Sequence, residues 1–371
     1  MRIIKRKQEN THNRIKLDSS QMPWLAPLRM LVITMIAFGY TSTMPRGLQE
    51  AEYLRMFGYD PSWYGIAILF MISGFLALHS LEKHGSPKAF LLSRFGRNFP
   101  TLAVFALCVV FIIFPIFGVP IDLITDPNAS RLKQHSLYLV KVLSVLDANE
   151  LTPGLLDDAL YKCVIQGALW TFRWGAILYV GIAILWPLGL FQKKKLLLLF
   201  TVFTIIASSI LTSYFSDATR VHPLIEFTAT GLRLGWAMLI GMCTYAYRDD
   251  IPRKLIIPFV FFGFAAINYY VFPWTPFIEV STELGFGFLC FLVMTTQRKT
   301  PKWIQKIPDI SLALYVFNWP VTQLTLLVLP SLSALTLFVI AFPITVLVSL
   351  LVWALVSQKC NLRLKQALAF G

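Results

Sequence analysis

Charge is what this sequence has least of. Only 14% of its 371 residues are Asp, Glu, Lys or Arg, about half the share of a soluble globular chain. That scarcity excludes an ordinary soluble enzyme and an intrinsically disordered chain alike. Cysteine is sparse as well. Of Cys108, Cys163, Cys243, Cys290 and Cys360, only Cys163 falls outside or at the edge of an apolar stretch on the non-cytoplasmic side of the topology described below. Neither a disulfide framework nor a metal-ligand spacing follows from that pattern. There is no internal repeat and no low-complexity linker, so a single membrane domain is the simplest organisation. The basic stretch at residues 1–16 has no apolar core and no small-residue cleavage site, so it is expected to be a retained tail and not a secretory signal.

What the chain does have is apolar length. Hydrophobic residues make up 56% of it, with 30 Phe, 13 Tyr and 10 Trp, and its mean hydropathy is +0.65. A bilayer-spanning helix needs about 20 mostly apolar residues. Ten such segments are predicted: Trp24–Tyr40, Trp63–Leu81, Pro100–Val119, Gly167–Leu190, Leu196–Tyr214, Phe227–Tyr247, Leu255–Phe272, Pro276–Thr296, Ile310–Leu329 and Leu332–Gln358. The expected fold is an all-α, polytopic membrane bundle over residues 24–358, with a basic tail at 1–23 and a second tail at 359–371. Pro115, Pro187, Pro320 and Pro343 interrupt helices, which membrane proteins tolerate when neighbours satisfy the freed carbonyls. The longest outer loop, 120–166, holds six acidic residues and a short apolar run, Leu137–Leu146, expected to be a re-entrant or interfacial piece.

The basic residues test this arrangement. With both termini in the cytoplasm, 23 of the 33 Lys and Arg fall in cytoplasmic segments, seven in outer loops and three, Arg29, Arg173 and Arg233, within spans. Such asymmetry follows the positive-inside rule. It also accounts for the net charge of +14 without nucleic acid as a partner; the lipid bilayer is the surface these charges face.

Ionisable groups within a span cost roughly 2.5–3.5 kcal/mol each on insertion scales, so each is a candidate functional group. Besides the three arginines these are Glu279 and Glu283, four apart and therefore on one helical face. Arg29 and Tyr40 are eleven residues apart, about three turns, and share a face too. Ser311, Tyr315, Asn318 and Thr322 form one polar stripe. The competing reading is that Arg and Glu simply pair across helices and hold the bundle together. Of the five histidines only His79 lies near a span, and a lone interfacial His is more often structural than catalytic. Arg94 and Arg97, three apart near the cytoplasmic start of a span, suit a phosphate clamp because guanidinium binds oxyanions bidentately. Their alternative is ordinary anchoring of a helix end.

The same stretches resemble the acyltransferase type 3 family of membrane proteins. Pro27-Leu28-Arg29 with the apolar run to Tyr40 looks like its first helix. Phe70-Met71-Ile72-Ser73-Gly74-Phe75-Leu76 followed by Arg94, Arg97 and Pro100 looks like its second helix and Arg-rich turn. Gln166-Gly167-Ala168-Leu169-Trp170-Thr171-Phe172-Arg173-Trp174 is similar to a further motif helix, and Ile310 to Pro320 to its late helix. The resemblance covers nearly the whole chain. It implies transfer of an acyl group, usually acetyl from acetyl-CoA as donor substrate, to a sugar of a bacterial surface or secreted glycan. It further implies a multi-pass protein of the bacterial cytoplasmic membrane, with a glycan or lipid-linked sugar as acceptor and glycan-biosynthesis proteins as partners. No permanently bound cofactor is implied. Arg29, Arg94, Arg97 and Arg173 are its expected donor-binding residues.

At three positions the chain departs from the family pattern. Tyr40 and Asn318 stand where the family has His, and Gly175 stands where it has Glu. Transfer to a hydroxyl needs a proton acceptor, and neither Gly nor Asn is one, while Tyr with an ordinary value near 10 is a poor one. Three functions follow as expectations. In the first, proton handling has moved, with Glu279, Glu283 and His79 as candidates and Asn318 and Tyr40 lining the site. In the second, the chain is a catalytically silent relative that binds or moves a glycan or a partner. The third, a transporter of another class, is disfavoured by the lack of an inverted repeat.

Overall fold

Helices begin where a polar residue can satisfy the first free N–H groups. Asp60 accepts from Ser62 N at 2.7 Å and Trp63 N at 3.2 Å, with Pro61 in the first turn. Ser86 precedes Pro87 and accepts from Ala89 N; Ser333 and His222 cap two later helices in the same way. The helix before Ser86 ends at Gly85, whose φ of +63° is left-handed backbone that glycine adopts without strain.

A computed structural model describes residues 22–45, 55–118, 131–145, 152, 154–156, 159, 161–215, 222–296 and 301–360. Among these it is helical, with one isolated bridge, Met56 to Tyr59, and no strand. The elements are α1 (Leu25–Thr43), α2 (Pro61–His84), α3 (Pro87–Phe117), α4 (Arg131–Ser144), α5 (Trp170–Leu185), α6 (Lys194–Phe215), α7 (Pro223–Ala246), α8 (Ile256–Val271), α9 (Thr275–Met294), α10 (Lys302–Gln305), α11 (Ser311–Val328) and α12 (Ala334–Val352). α3 includes a π turn at Val109–Ile113, just before Pro115, and α12 runs on through a π turn at Trp353–Ser357. Nearly all of the basic tail 1–23 and most of 359–371 lie outside the described residues.

Seven of these helices are long and apolar enough to cross a bilayer. The other three predicted spans correspond to α5, α7 and α8. α5 and α8 have 16 residues each, about 24 Å of rise against a hydrocarbon layer of about 30 Å. α7 carries Glu226 and Arg233. Where boundaries differ from the predicted ones, caps decide. α3 starts thirteen residues before Pro100 because Ser86-Pro87 nucleates it, so Arg94 and Arg97 are helical. α5 stops at Leu185, short of Leu190, ahead of Pro187 and the left-handed Gly189.

α2 is the central rod, packed against α1, α7, α9 and α3. Its closest neighbour is α7. A methyl group on Gly74 would sit 1.9 Å from the Met238 carbonyl oxygen, and one on Gly241 would sit 1.8 Å from that of Met71. Only glycine at both positions lets the two backbones touch. A second core joins α3 to α4, where Tyr138 and Val142 are buried against Leu102, Phe105 and Val109. α4 occupies much of the apolar run expected in the long loop, and its Leu137 and Val140 face outward. The outer faces of α6, α8 and α12 are exposed Leu, Phe, Ile and Val, an apolar belt of the kind lipid covers.

Candidate active site

Two polar clusters lie at opposite ends of α2. The first gathers at its C-terminal end. Asp309, just before α11, accepts from Arg29 of α1 and from Arg97 of α3, each at 2.9 Å through Oδ2. Its other oxygen accepts from the Ser311 backbone N–H and hydroxyl, capping α11. One carboxylate thus ties three helices together. Burial alone would push the Asp309 carboxyl up, but Arg29, Arg97 and Ser311 outweigh it and hold the group at about 2. Arg94 donates to the Leu76 carbonyl, and its guanidinium lies over the rings of Phe90 and Tyr179, 5.4 and 5.6 Å from their centroids. Two guanidiniums therefore meet one carboxylate, and a third, Arg94, lies on the same rim bonded to the Leu76 carbonyl.

These arginines rim a cavity of about 220 Å³. Behind them its walls are apolar, from Ile33 of α1, Phe70 and Leu76 of α2 and Met238 of α7. Ser73, Ser311, Thr171 and Tyr315 add hydroxyls. The Tyr315 hydroxyl is 2.8 Å from Thr171 Oγ1 and 3.1 Å from the Ala168 carbonyl. Gly175 forms part of the wall, and the space beside its α-carbon is open. Among the described residues no Asp, Glu or His lines this cavity.

Above Tyr315 on α11 the stripe continues. The Tyr40 ring meets Trp319 edge-on at 4.9 Å, and its buried hydroxyl lies beside that of Tyr315. Asn318 is 3% exposed, yet both atoms of its amide and the Trp319 Nε1 lack a partner among the described residues. Buried polar atoms without partners are costly and rare.

The second cluster sits at the N-terminal end of α2. Arg233 of α7 donates to Glu279, and its Nη2 lies 3.2 Å from Glu283 and 3.3 Å from the Trp63 carbonyl. Glu279 also accepts from Trp63 Nε1 at 3.0 Å. The guanidinium lies 3.5 Å from the centre of the Trp63 ring, which Tyr59 stacks upon. Burial and the Glu279 carboxylate push the Tyr59 hydroxyl up, so it stays protonated. Thirteen residues separate Trp63 from Leu76, about 20 Å of helix.

Tyr40 lies at the other end of α1, next to Gly39, which packs against Ser62 at the start of α2, and Asn318 is on the same helix as Tyr315; Arg29, Arg94 and Arg97 are brought together at the cavity rim. Glu279 and Glu283 are not; they belong to the far cluster. His79 points toward α7, 3.3 Å from the Tyr245 hydroxyl, which donates to Glu82. Arg173 is on α5 but faces away from the cavity. At 100° per residue, Thr171, Phe172, Gly175 and Tyr179 share the cavity face, and Arg173 falls on the reverse side. Asp309 and Thr171 were not singled out from the sequence. A lone acidic residue among Lys302, Lys306 and the start of a span was the available signal for Asp309.

The fold and site define a multi-pass helical membrane protein with a cationic rim around an apolar, hydroxyl-lined cavity. The acyltransferase type 3 family profile, described as an acyltransferase domain, matches residues 23–354. The chain belongs to that family. No curated protein and no solved structure gives a match.

Proposed function

We propose that this chain is a membrane O-acyltransferase that takes an acyl group, acetyl, from acetyl-CoA and passes it to a hydroxyl of a glycan or lipid-linked sugar. The reading places it in a bacterial cytoplasmic membrane, with ten crossings and both ends cytoplasmic, and glycan-biosynthesis proteins as partners. The observation that carries it is the excess of guanidinium over carboxylate at the rim of the cavity, in a chain with an acyltransferase domain. CoA is a polyanion with a long, uncharged arm. In this reading Arg94, Arg97 and Arg29 hold its phosphates, and the arm runs between Phe70, Leu76 and Met238. The thioester then reaches the Thr171–Tyr315 hydroxyls, Tyr40 and the unpartnered Asn318 amide, which donates a hydrogen bond to the thioester or acceptor.

Glu279 and Glu283 stand apart from this path and are both tied to Arg233, so we read them as structural. A second reading is favoured by one specific observation, the absence of a carboxylate or imidazole from the described cavity wall. In it the chain binds the same ligands but is catalytically silent. Purified protein with labelled acetyl-CoA, together with mass spectrometry of the host glycan with and without the gene, separates the two. An acyl adduct lost on deletion and restored by the wild-type gene supports transfer. Acetyl-CoA binding with an unchanged glycan supports the silent reading, and no binding of acetyl-CoA overturns both.

A further inference from the structure

On the reverse side of α5 lies an open cleft of about 470 Å³, shared with the first turns of α7. Trp170, Trp174 and Phe227 form its aromatic lining, and Arg173, Glu226 and Thr230 its polar one. Trp174 and Phe227 are in ring contact at 4.4 Å, and Arg173 lies over the Phe227 ring at 5.3 Å. Trp174 is held in place from behind, because its ring fills the space a side chain at Gly231 would need. Arg173 has no hydrogen bond or ion pair among the described residues, and Glu226 does not reach it. Below Arg173, the same face of α5 continues through Ile177, Val180 and Ile184, which are 42%, 40% and 64% exposed. From Arg173 to Ile184 this apolar track runs roughly 16 Å along the axis.

We propose that this cleft binds the phosphate headgroup of an anionic phospholipid, with an acyl chain lying along Ile177, Val180 and Ile184. A guanidinium with no hydrogen bond or ion pair among the described residues, set against an apolar surface, calls for an anion, and aromatic residues flanking a cation are suited to the headgroup layer. The exposed track below gives that anion a hydrocarbon tail. A lipid-linked sugar has similar chemistry, but the cavity lies across the full thickness of α5, about 10 Å, so a headgroup in the cleft is turned away from the donor. The bound lipid acts instead as a brace behind the helix that forms the cavity wall.

Native mass spectrometry of the full chain released from detergent micelles tests this, with phosphatidylglycerol, phosphatidylcholine and a polyprenyl phosphate as competing probes. Wild type should retain one phosphatidylglycerol at least tenfold more strongly than phosphatidylcholine. Arg173→Gln should abolish that preference, and Arg173→Lys should keep part of it. Equal retention of phosphatidylglycerol by wild type and Arg173→Gln overturns the proposal. So does preferential retention of the polyprenyl phosphate, which would assign the cleft to an acceptor lipid. Should Arg173→Gln fail to fold, Ile184→Gln provides the second arm. Loss of phosphatidylglycerol retention there supports the apolar track, and unchanged retention overturns it. None of these readouts depends on acyl transfer.

Discussion

The two ends of α2 hold the same kinds of side chain and put them to different uses. At the N-terminal end one guanidinium meets two carboxylates, an indole ring and a backbone carbonyl, and Glu279 and Glu283 are 7% and 1% exposed. At the C-terminal end three guanidiniums rim an opening, two of them paired with the single carboxylate Asp309, and Arg97 remains 36% exposed. Charges paired at close range with no space around them are a clamp between helices. Uncompensated charge beside a cavity is a place for an anion that arrives from outside. Burial and local charge balance distinguish structure from site here, whereas the mere presence of an ionisable residue in a span does not.

Removing the positive member of the clamp should have the largest effect. Arg233→Ala leaves two carboxylates buried against each other, and breaking a buried pair in this way costs about 3–5 kcal/mol. The expected result is loss of folded protein in size-exclusion and thermal-unfolding assays. Glu283→Gln, which leaves the Glu279 contacts in place, should remain folded. A stable Arg233→Ala protein would remove the distinction between the two ends. The opposite pattern is expected at the other end. Arg94→Gln combined with Arg97→Gln should fold, since Arg29 still holds Asp309, but two lost charge-assisted contacts of about 1.5 kcal/mol each amount to roughly a hundredfold weaker acyl-CoA binding by calorimetry.

The sequence made the rods legible but not their partners. Apolar runs locate the helices, though not the start of α3 at Ser86-Pro87, and the spacing of Arg94 and Arg97 puts them on one face once that segment is helical. Arg233 and Glu279 are 46 residues apart on different helices, and nothing in either segment says that they meet. Motif position grouped Arg173 with the donor-binding arginines, although its angular offset from Thr171 and Gly175 already turned it to the reverse side of α5. Asp309 escaped notice because one carboxylate between two helices carries no periodicity. Its role exists only once α1, α3 and α11 converge.

Asp309 gives the C-terminal end a pH signature of its own. Its carboxyl is held at about 2 against an ordinary 3.8, by Arg29, Arg97 and Ser311 acting against burial. Because the folded value is depressed, the stabilisation is complete above about pH 4 and is lost as the pH falls through 2. Thermal midpoints recorded from pH 6 to pH 2 should fall more steeply for wild type than for Asp309→Asn within that window. Identical slopes would mean that the bridge linking α1, α3 and α11 contributes nothing to stability.

The smallest expected effect concerns the cavity wall. Gly175 lies inside α5 with ordinary helical backbone, and a β-carbon there meets nothing within 4 Å. Glycine in a helix interior is less stable than alanine by roughly 0.5–1 kcal/mol, so Gly175→Ala should raise the unfolding midpoint slightly without disturbing the arginine rim. The same open space admits a longer side chain. Gly175→Glu would put a carboxylate on a wall that has none among the described residues, and labelled acetyl-CoA then reads the outcome. Transfer that appears only in this variant identifies the missing proton acceptor as the reason for silence. Transfer already present in wild type, and unchanged by the substitution, shows that the hydroxyls and the Asn318 amide suffice. Destabilisation of Gly175→Ala would show instead that the wall is closed at this point, and that the arginine end is as tightly filled as the clamp.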